Sequence, residues 1–103
     1  MIPALKRLPR SEFSVRGYKT LKTPYFSLKI KTNRLAYPRF GVIIGVAAEK
    51  KAVKRNFWKR QARAVFMGHG KSGKDYILIF LKKIKEIDKK RFKEELLKLF
   101  PLT

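Results

Sequence analysis

Residues 76–81, Tyr-Ile-Leu-Ile-Phe-Leu, form an unbroken apolar run in a chain of which 33% of residues are charged. Successive side chains of a strand point to opposite faces. A run of this kind therefore needs cover on both sides, and it predicts a central strand over 75–82. Other segments must pair with it and lie over it. "RFGVIIGVA" (39–47) is β-branched and mostly apolar, and predicts another central strand. In "YFSLKIK" (25–31), Phe26, Leu28 and Ile30 alternate with Ser27, Lys29 and Lys31. That alternation predicts a half-buried strand with a basic face. A further short strand near Lys19–Lys22 carries only a faint pattern.

Helical signals separate these strands. Ser11 is suited to cap a short helix through about Arg16, with Glu12 in its first turn, Phe13 turned inward and Gly17 as the stop. A longer helix is expected over 51–67. Asp88 is a candidate N-cap for the last helix, and Ile87 and Phe92 stand at the spacing of a hydrophobic staple. Phe92, Leu96, Leu99 and Phe100 form its buried stripe, which Pro101 ends. The order is helix, two or three strands, helix, strand, helix. This predicts an α+β fold: a two-layer sandwich with one helical layer on a sheet. At 103 residues the chain is expected to form a single domain, with the basic, proline-containing residues 1–10 as an extended arm.

The charge is lopsided. There are 27 Lys+Arg against 7 Asp+Glu, a formal net charge of +20. Self-repulsion of that size works against a small domain, and a polyanion would relieve it. Nucleic acid is the leading candidate, ahead of an anionic membrane surface or charge kept for solubility alone. The chain has no cysteine, which excludes disulfides and thiolate metal sites. The N-terminus lacks a signal-peptide core, and no run approaches transmembrane length, so a cytoplasmic protein is expected.

The charge is densest in "KKAVKRNFWKRQARAVF" (50–66), where seven of seventeen residues are Lys or Arg and one acid-free face follows another. On a helical wheel Arg55, Asn56, Lys59, Arg60 and Arg63 share one arc of roughly 140°. Trp58, Ala62 and Val65 fall on another side, and Val53, Phe57 and Ala64 on a third. Arginine grips phosphate oxygens bidentately, and asparagine both donates and accepts, so the stripe suits a surface that reads a nucleic-acid backbone. The plainer alternative is a solvated helix face. Trp58 reads better as a core residue than as a stacking platform. Lys29 and Lys31 extend the basic surface, with Tyr25 and Phe13 as candidates for stacking on unpaired bases.

No protein active site is visible. "GHGKSGKD" (68–75) nearly spells a phosphate-binding loop, but Asp75 stands in the Ser/Thr place. The segment also follows a helix and opens a strand, the reverse of that motif, and reads instead as a flexible hairpin-like connection. His69, the one histidine, is expected exposed and inert. The acids Glu12, Glu49, Asp75, Glu86, Asp88, Glu94 and Glu95 show no spacing of a metal or general-base cluster.

Residues 51–63, "KAVKRNFWKRQAR", resemble the signature K-A-V-x-R-N-x-x-K-R-x-x-R of the bacterial ribonuclease P protein family. "RLPRSEF", "YFSLKI", "RFGVIIGV", "GKDYILIF" and "FKEELLKLF" resemble its flanking segments. The resemblance implies a sandwich of order α-β-β-β-α-β-α, related to a ribosomal-protein domain, with a left-handed crossover where sequence order alone would favour a right-handed one. It implies that an RNA subunit cleaves with bound Mg²⁺, that the protein holds no catalytic residue or metal, and that its partners are that RNA and the 5′ leader of precursor tRNA. It places Arg55, Asn56, Lys59, Arg60 and Arg63 toward RNA, with Lys50 and Lys51 as added basic contacts, and Phe13 and Lys29 in a leader cleft. Two departures stand out: Phe57 replaces the family's second Arg of Arg-Asn-Arg, and Gly45-Val46-Ala47 replace Ser-Lys-Lys. A basic ribosomal or general RNA-binding protein is the alternative.

Overall fold

The computed structural model describes residues 7–9, 11, 13 and 17–103. The apolar run becomes β4 (Lys74–Phe80), with β2 (Phe26–Thr32) antiparallel on one side and β3 (Arg39–Ile43) parallel on the other. β1 (Lys19–Lys22) pairs antiparallel with β2, which gives the sheet order β1-β2-β4-β3. Helices α1 (Ala52–His69) and α2 (Lys89–Leu99) supply the second layer, and the α+β architecture is as the sequence implies. Register sorts the side chains. Leu21, Leu28, Leu78 and Val42 form one row on the core face; Thr20, Lys29, Ile77 and Gly41 form the neighbouring row on the opposite face.

The basic helix α1 is held by aromatic packing. Trp58 lies 5.4 Å from Phe92 and 6.0 Å from Phe80, ring centre to ring centre. Two turns on, Phe66 stacks on Phe40 at 4.8 Å and meets Tyr76 and Phe100 at 5.7 and 5.9 Å. Such pairs contribute about 0.5–1.5 kcal/mol each beyond the area they bury. Ala62, fully buried between the two clusters, lets the helix approach the sheet. Asp88 caps α2 as expected, its Oδ1 accepting from the Arg91 amide at 2.9 Å.

The structure corrects several expectations. The strand expected over 39–47 stops at Ile43, because the Gly45 carbonyl accepts from the amides of Ala48 and Glu49 and closes a turn. The 68–75 segment is no hairpin: α1 runs through His69, and the segment is the return leg of a crossover into a parallel strand. Nor is it loosely held. The Lys71 amide donates to the Tyr76 hydroxyl at 3.1 Å, and the Lys71 Nζ donates to the carbonyl of Phe100 at 3.0 Å. Gly70 is needed there, since a Cβ would lie 2.6 Å from the Phe40 ring. The helix expected from Ser11 to Arg16 and the arm expected over 1–10 lie largely outside the described residues. Of them, Ser11 and Phe13 lie in 3-10 geometry, and Arg7 bridges to Phe40 beside β3.

Asp75 opens β4 as a buried carboxylate, 2% exposed. Arg39 on β3 donates to it twice, at 2.9 and 2.7 Å, and the Asn33 Nδ2 donates at 2.7 Å. One carboxylate thus ties β3, β4 and the loop after β2. Asp75→Ala deprives the Arg39 guanidinium of this partner inside the protein. The expected loss is about 3 kcal/mol of stability, measured by urea unfolding. A loss below about 1 kcal/mol would mean that the pair is screened like a surface one.

Candidate nucleic-acid interface

Arg55, Lys59, Arg60 and Arg63, with Asn56, fall on one flank of a helix whose core side faces the sheet, while Lys54 stands on the other flank. Asn56 and Arg60 are exposed, Lys59 and Arg63 half-buried. Among the described residues, no carboxylate forms an ion pair with any of them. Arg55 also makes contacts within the chain. Its guanidinium donates to the backbone carbonyls of Glu49 and Lys50 at 3.0 and 2.7 Å, fastening the loop that enters the helix. Lys50 and Lys51 are exposed beside it.

The flank opens into two hollows. The larger, about 760 Å³, lies along the free edge of β3 and is lined by Arg7, Leu8, Phe13, Gly41, Lys59 and Arg63, among others. Its far wall is the N-terminal segment, held by the Leu8 amide donating to the Phe40 carbonyl at 2.8 Å. Leu8 is itself buried. Phe13 rests on Gly41: a Cβ there would lie 2.5 Å from the ring. Only glycine admits this seat. The smaller hollow, about 440 Å³, is lined by Arg7, Asn56, Arg60 and Arg63.

Arg63 lines both hollows. Its pKa is lowered from the ordinary arginine value, first by burial and then by the positive charge of Arg7. Both effects disfavour the cation as it stands, and an anion between the two guanidiniums would offset them. The arrangement fits a phosphate, which arginine holds through paired N–H donors.

The structure thus brings Phe13, Lys59 and Arg63 into one groove, and Asn56, Arg60 and Arg63 into the other. Lys29 does not line either. It lies on the same sheet face as Phe13, in the row that runs through Ile77 to Gly41. Phe57 is half-buried and meets the Trp58 ring edge-on at 5.2 Å, away from the cationic flank. Gly45, Val46 and Ala47 are exposed in their turn. Arg7 is the residue that sequence reasoning missed. Nothing in the periodicity of a basic, proline-containing segment says which of its cations will meet the helix. Among the described residues no three carboxylates or imidazoles gather. No described helix is long and apolar enough to cross a membrane.

Comparison with known proteins bears on what this interface serves. The Ribonuclease P family model matches residues 5–102, nearly the whole chain. The chain belongs to the ribonuclease P protein family. It is similar to the ribonuclease P protein component of Vibrio campbellii, with 35% identity over 80 residues, 76% of this chain. That alignment spans 64% of the curated relative's length. The solved RNase P protein of Thermotoga maritima matches with a TM-score of 0.77 and 28% identity, covering 94% of this chain and 96% of that one. A Staphylococcus aureus RNase P protein shares the fold, with a TM-score of 0.82 at 21% identity over 95% of this chain and 87% of that one.

The seat of Phe13 gives a direct check on the groove shared by the family signature helix and the N-terminal segment. Gly41→Ala is expected to displace the ring and to destabilise the protein by about 1–3 kcal/mol in urea unfolding. Gly41→Ala/Phe13→Ala should recover much of that loss. An unchanged midpoint in the single variant would remove Phe13 from the groove wall.

Proposed function

We propose that the chain acts as one RNA-binding domain, the protein subunit of a cytoplasmic ribonuclease P, which binds the catalytic RNA and the 5′ leader of precursor tRNA and promotes removal of that leader. The observation that carries this reading is the cationic flank of α1, which has no carboxylate partner among the described residues and is joined by Arg7 across two grooves, in a chain of this family. Lys50, Lys51, Asn56, Lys59, Arg60 and Arg63 would neutralise phosphates, so that two polyanions can approach each other. Phe13 would lie against the leader where the groove passes the β3 edge, and Lys29 would draw the strand over the sheet face. Hydrolysis belongs to the RNA, with its own Mg²⁺, and this chain contributes binding and positioning. Arg55 would act chiefly by shaping the start of α1, since its guanidinium already holds two carbonyls.

The test is reconstitution with a bacterial ribonuclease P RNA and precursor tRNA at low Mg²⁺. Wild type is expected to stimulate 5′-leader removal, and Lys59→Ala/Arg60→Ala/Arg63→Ala is expected to lose most of that stimulation while unfolding at the same urea concentration. RNA binding without stimulation would favour a general RNA-binding protein instead. A second check is salt. If about eight phosphates are neutralised, log Kd should vary with log[salt] with a slope of magnitude near 6 to 7. A nearly flat dependence would remove the electrostatic basis of the proposal.

A further inference from the structure

The flank of α1 opposite Asn56, Arg60 and Arg63 carries a third hollow, of about 610 Å³, closed on its far side by the segment from Lys85 to Ile87. We propose that it holds one unpaired guanine nucleotide of the bound RNA. The inference rests on the RNA-binding reading above but uses none of the residues assigned there to phosphates or leader.

Three features of the hollow point the same way. Its walls are apolar and partly aromatic: Phe57 is half-buried, the edge of Trp58 reaches it, and Val53 stands 79% exposed at its mouth. A base has two apolar faces and can stack on such a ring, a contact worth about tenfold or more in binding. Lys54 and Lys85 also line it, so a phosphate on either side of the base finds a cation.

The third feature is Glu49, a carboxylate only 5% exposed that lines the same hollow. Its Oε1 accepts from the Lys51 amide at 3.1 Å, and among the described residues Oε2 has no hydrogen-bond partner. An acid this buried, in a chain of net charge +20 and paired with no lysine, is set up to accept N–H donors. Guanine offers two adjacent donors, N1–H and the 2-amino group, which match the two oxygens of a carboxylate. Adenine and cytosine offer one amino group and uracil one N–H.

A protein partner fits less well. Two lysines beside an apolar floor suit an acidic peptide, but such a peptide would bring its carboxylates against Glu49. The RNA occupant uses the aromatic wall, the cations and the acid together. Lys50 and Lys51, exposed and assigned above to RNA, follow Glu49 directly in the chain at the start of α1.

Trp58 is the only tryptophan, so its fluorescence reports on the hollow. Wild-type protein would be titrated with the pentanucleotides UUGUU, UUIUU and UUAUU, where inosine lacks the 2-amino group. UUGUU is expected to bind about tenfold more tightly than UUAUU, with UUIUU between them, and to change the Trp58 emission. Glu49→Gln should abolish the preference, because the amide presents a donor where guanine needs an acceptor. Phe57→Ala should weaken UUGUU about tenfold, and Phe57→Leu, which keeps the apolar volume, should weaken it similarly if the alanine variant unfolds. Lys59→Ala/Arg60→Ala/Arg63→Ala should weaken all three oligonucleotides equally and leave the preference intact. Equal binding of all three with unchanged Trp58 emission would overturn the guanine site while the RNA-binding reading stands. Failure of every oligonucleotide to bind would overturn both. Self-association in sedimentation that Phe57→Leu abolishes would assign the hollow to a second copy of the chain and overturn the proposal.

Discussion

A helix bearing this much positive charge cannot be held to its protein by ion pairs without losing what makes it useful. Here it is held by rings. Trp58 packs against Phe80 and Phe92 at one end of the contact, and Phe66 sits among Phe40, Tyr76 and Phe100 at the other. Aromatic packing is insensitive to salt and consumes no carboxylate, so the cationic flank stays available to a polyanion while the helix keeps its seat. The grooves, the placement of the N-terminal segment and the exposure of the basic side chains all follow from that seat.

Among the described residues, Asp75, Glu95 and Glu49 are engaged where they do not compete with the cationic flank. Asp75 is spent on Arg39 and Asn33, below the sheet start and away from α1. Glu95 pairs with Arg91 and Lys98 on α2. Glu49 sits just before α1, on the side of the helix away from the stripe, where it accepts from an amide. These three carboxylates hold parts of the chain together while most of the described cations face outward. Arg63 marks the limit of this arrangement. It shares both hollows with Arg7 and is partly desolvated, a placement unfavourable in isolation that an anion would repair.

Phe57 shows why a helix should be read by flank rather than by motif position. In the signature it stands in the place of a cation, and on that criterion it is a loss. In the fold it stands away from Asn56, Arg60 and Arg63, meets Trp58 edge-on and lines a different hollow, shared with Val53, Lys54 and Ile87. Arg55 makes the converse point. It belongs to the basic stripe on the wheel, yet two backbone carbonyls occupy its guanidinium. The wheel gives direction from the helix axis and is blind to the loop that arrives beneath it.

The sequence by itself determined the elements and their faces. The run Tyr76–Leu81 required a central strand, the alternation in 26–31 required one dry and one basic face, and the spacing of Trp58, Ala62 and Val65 fixed which side of α1 is buried. These are local consequences of 2.0- and 3.6-residue periods. The resemblance of 51–63 to a family signature added the rest of the fold and the leading function. What only the tertiary structure decided is which residues from different segments share a space. Phe13 reaches Gly41, and Arg7 meets Arg63, because an extended segment pairs beside the β3 edge through the amide of Leu8. Glu49 enters a hollow with Phe57 because the Gly45 turn brings the chain back just before α1. Such meetings depend on how irregular segments cross regular ones. No period in the sequence encodes that, because loops take their course from backbone hydrogen bonds made only once the sheet and helices are in place.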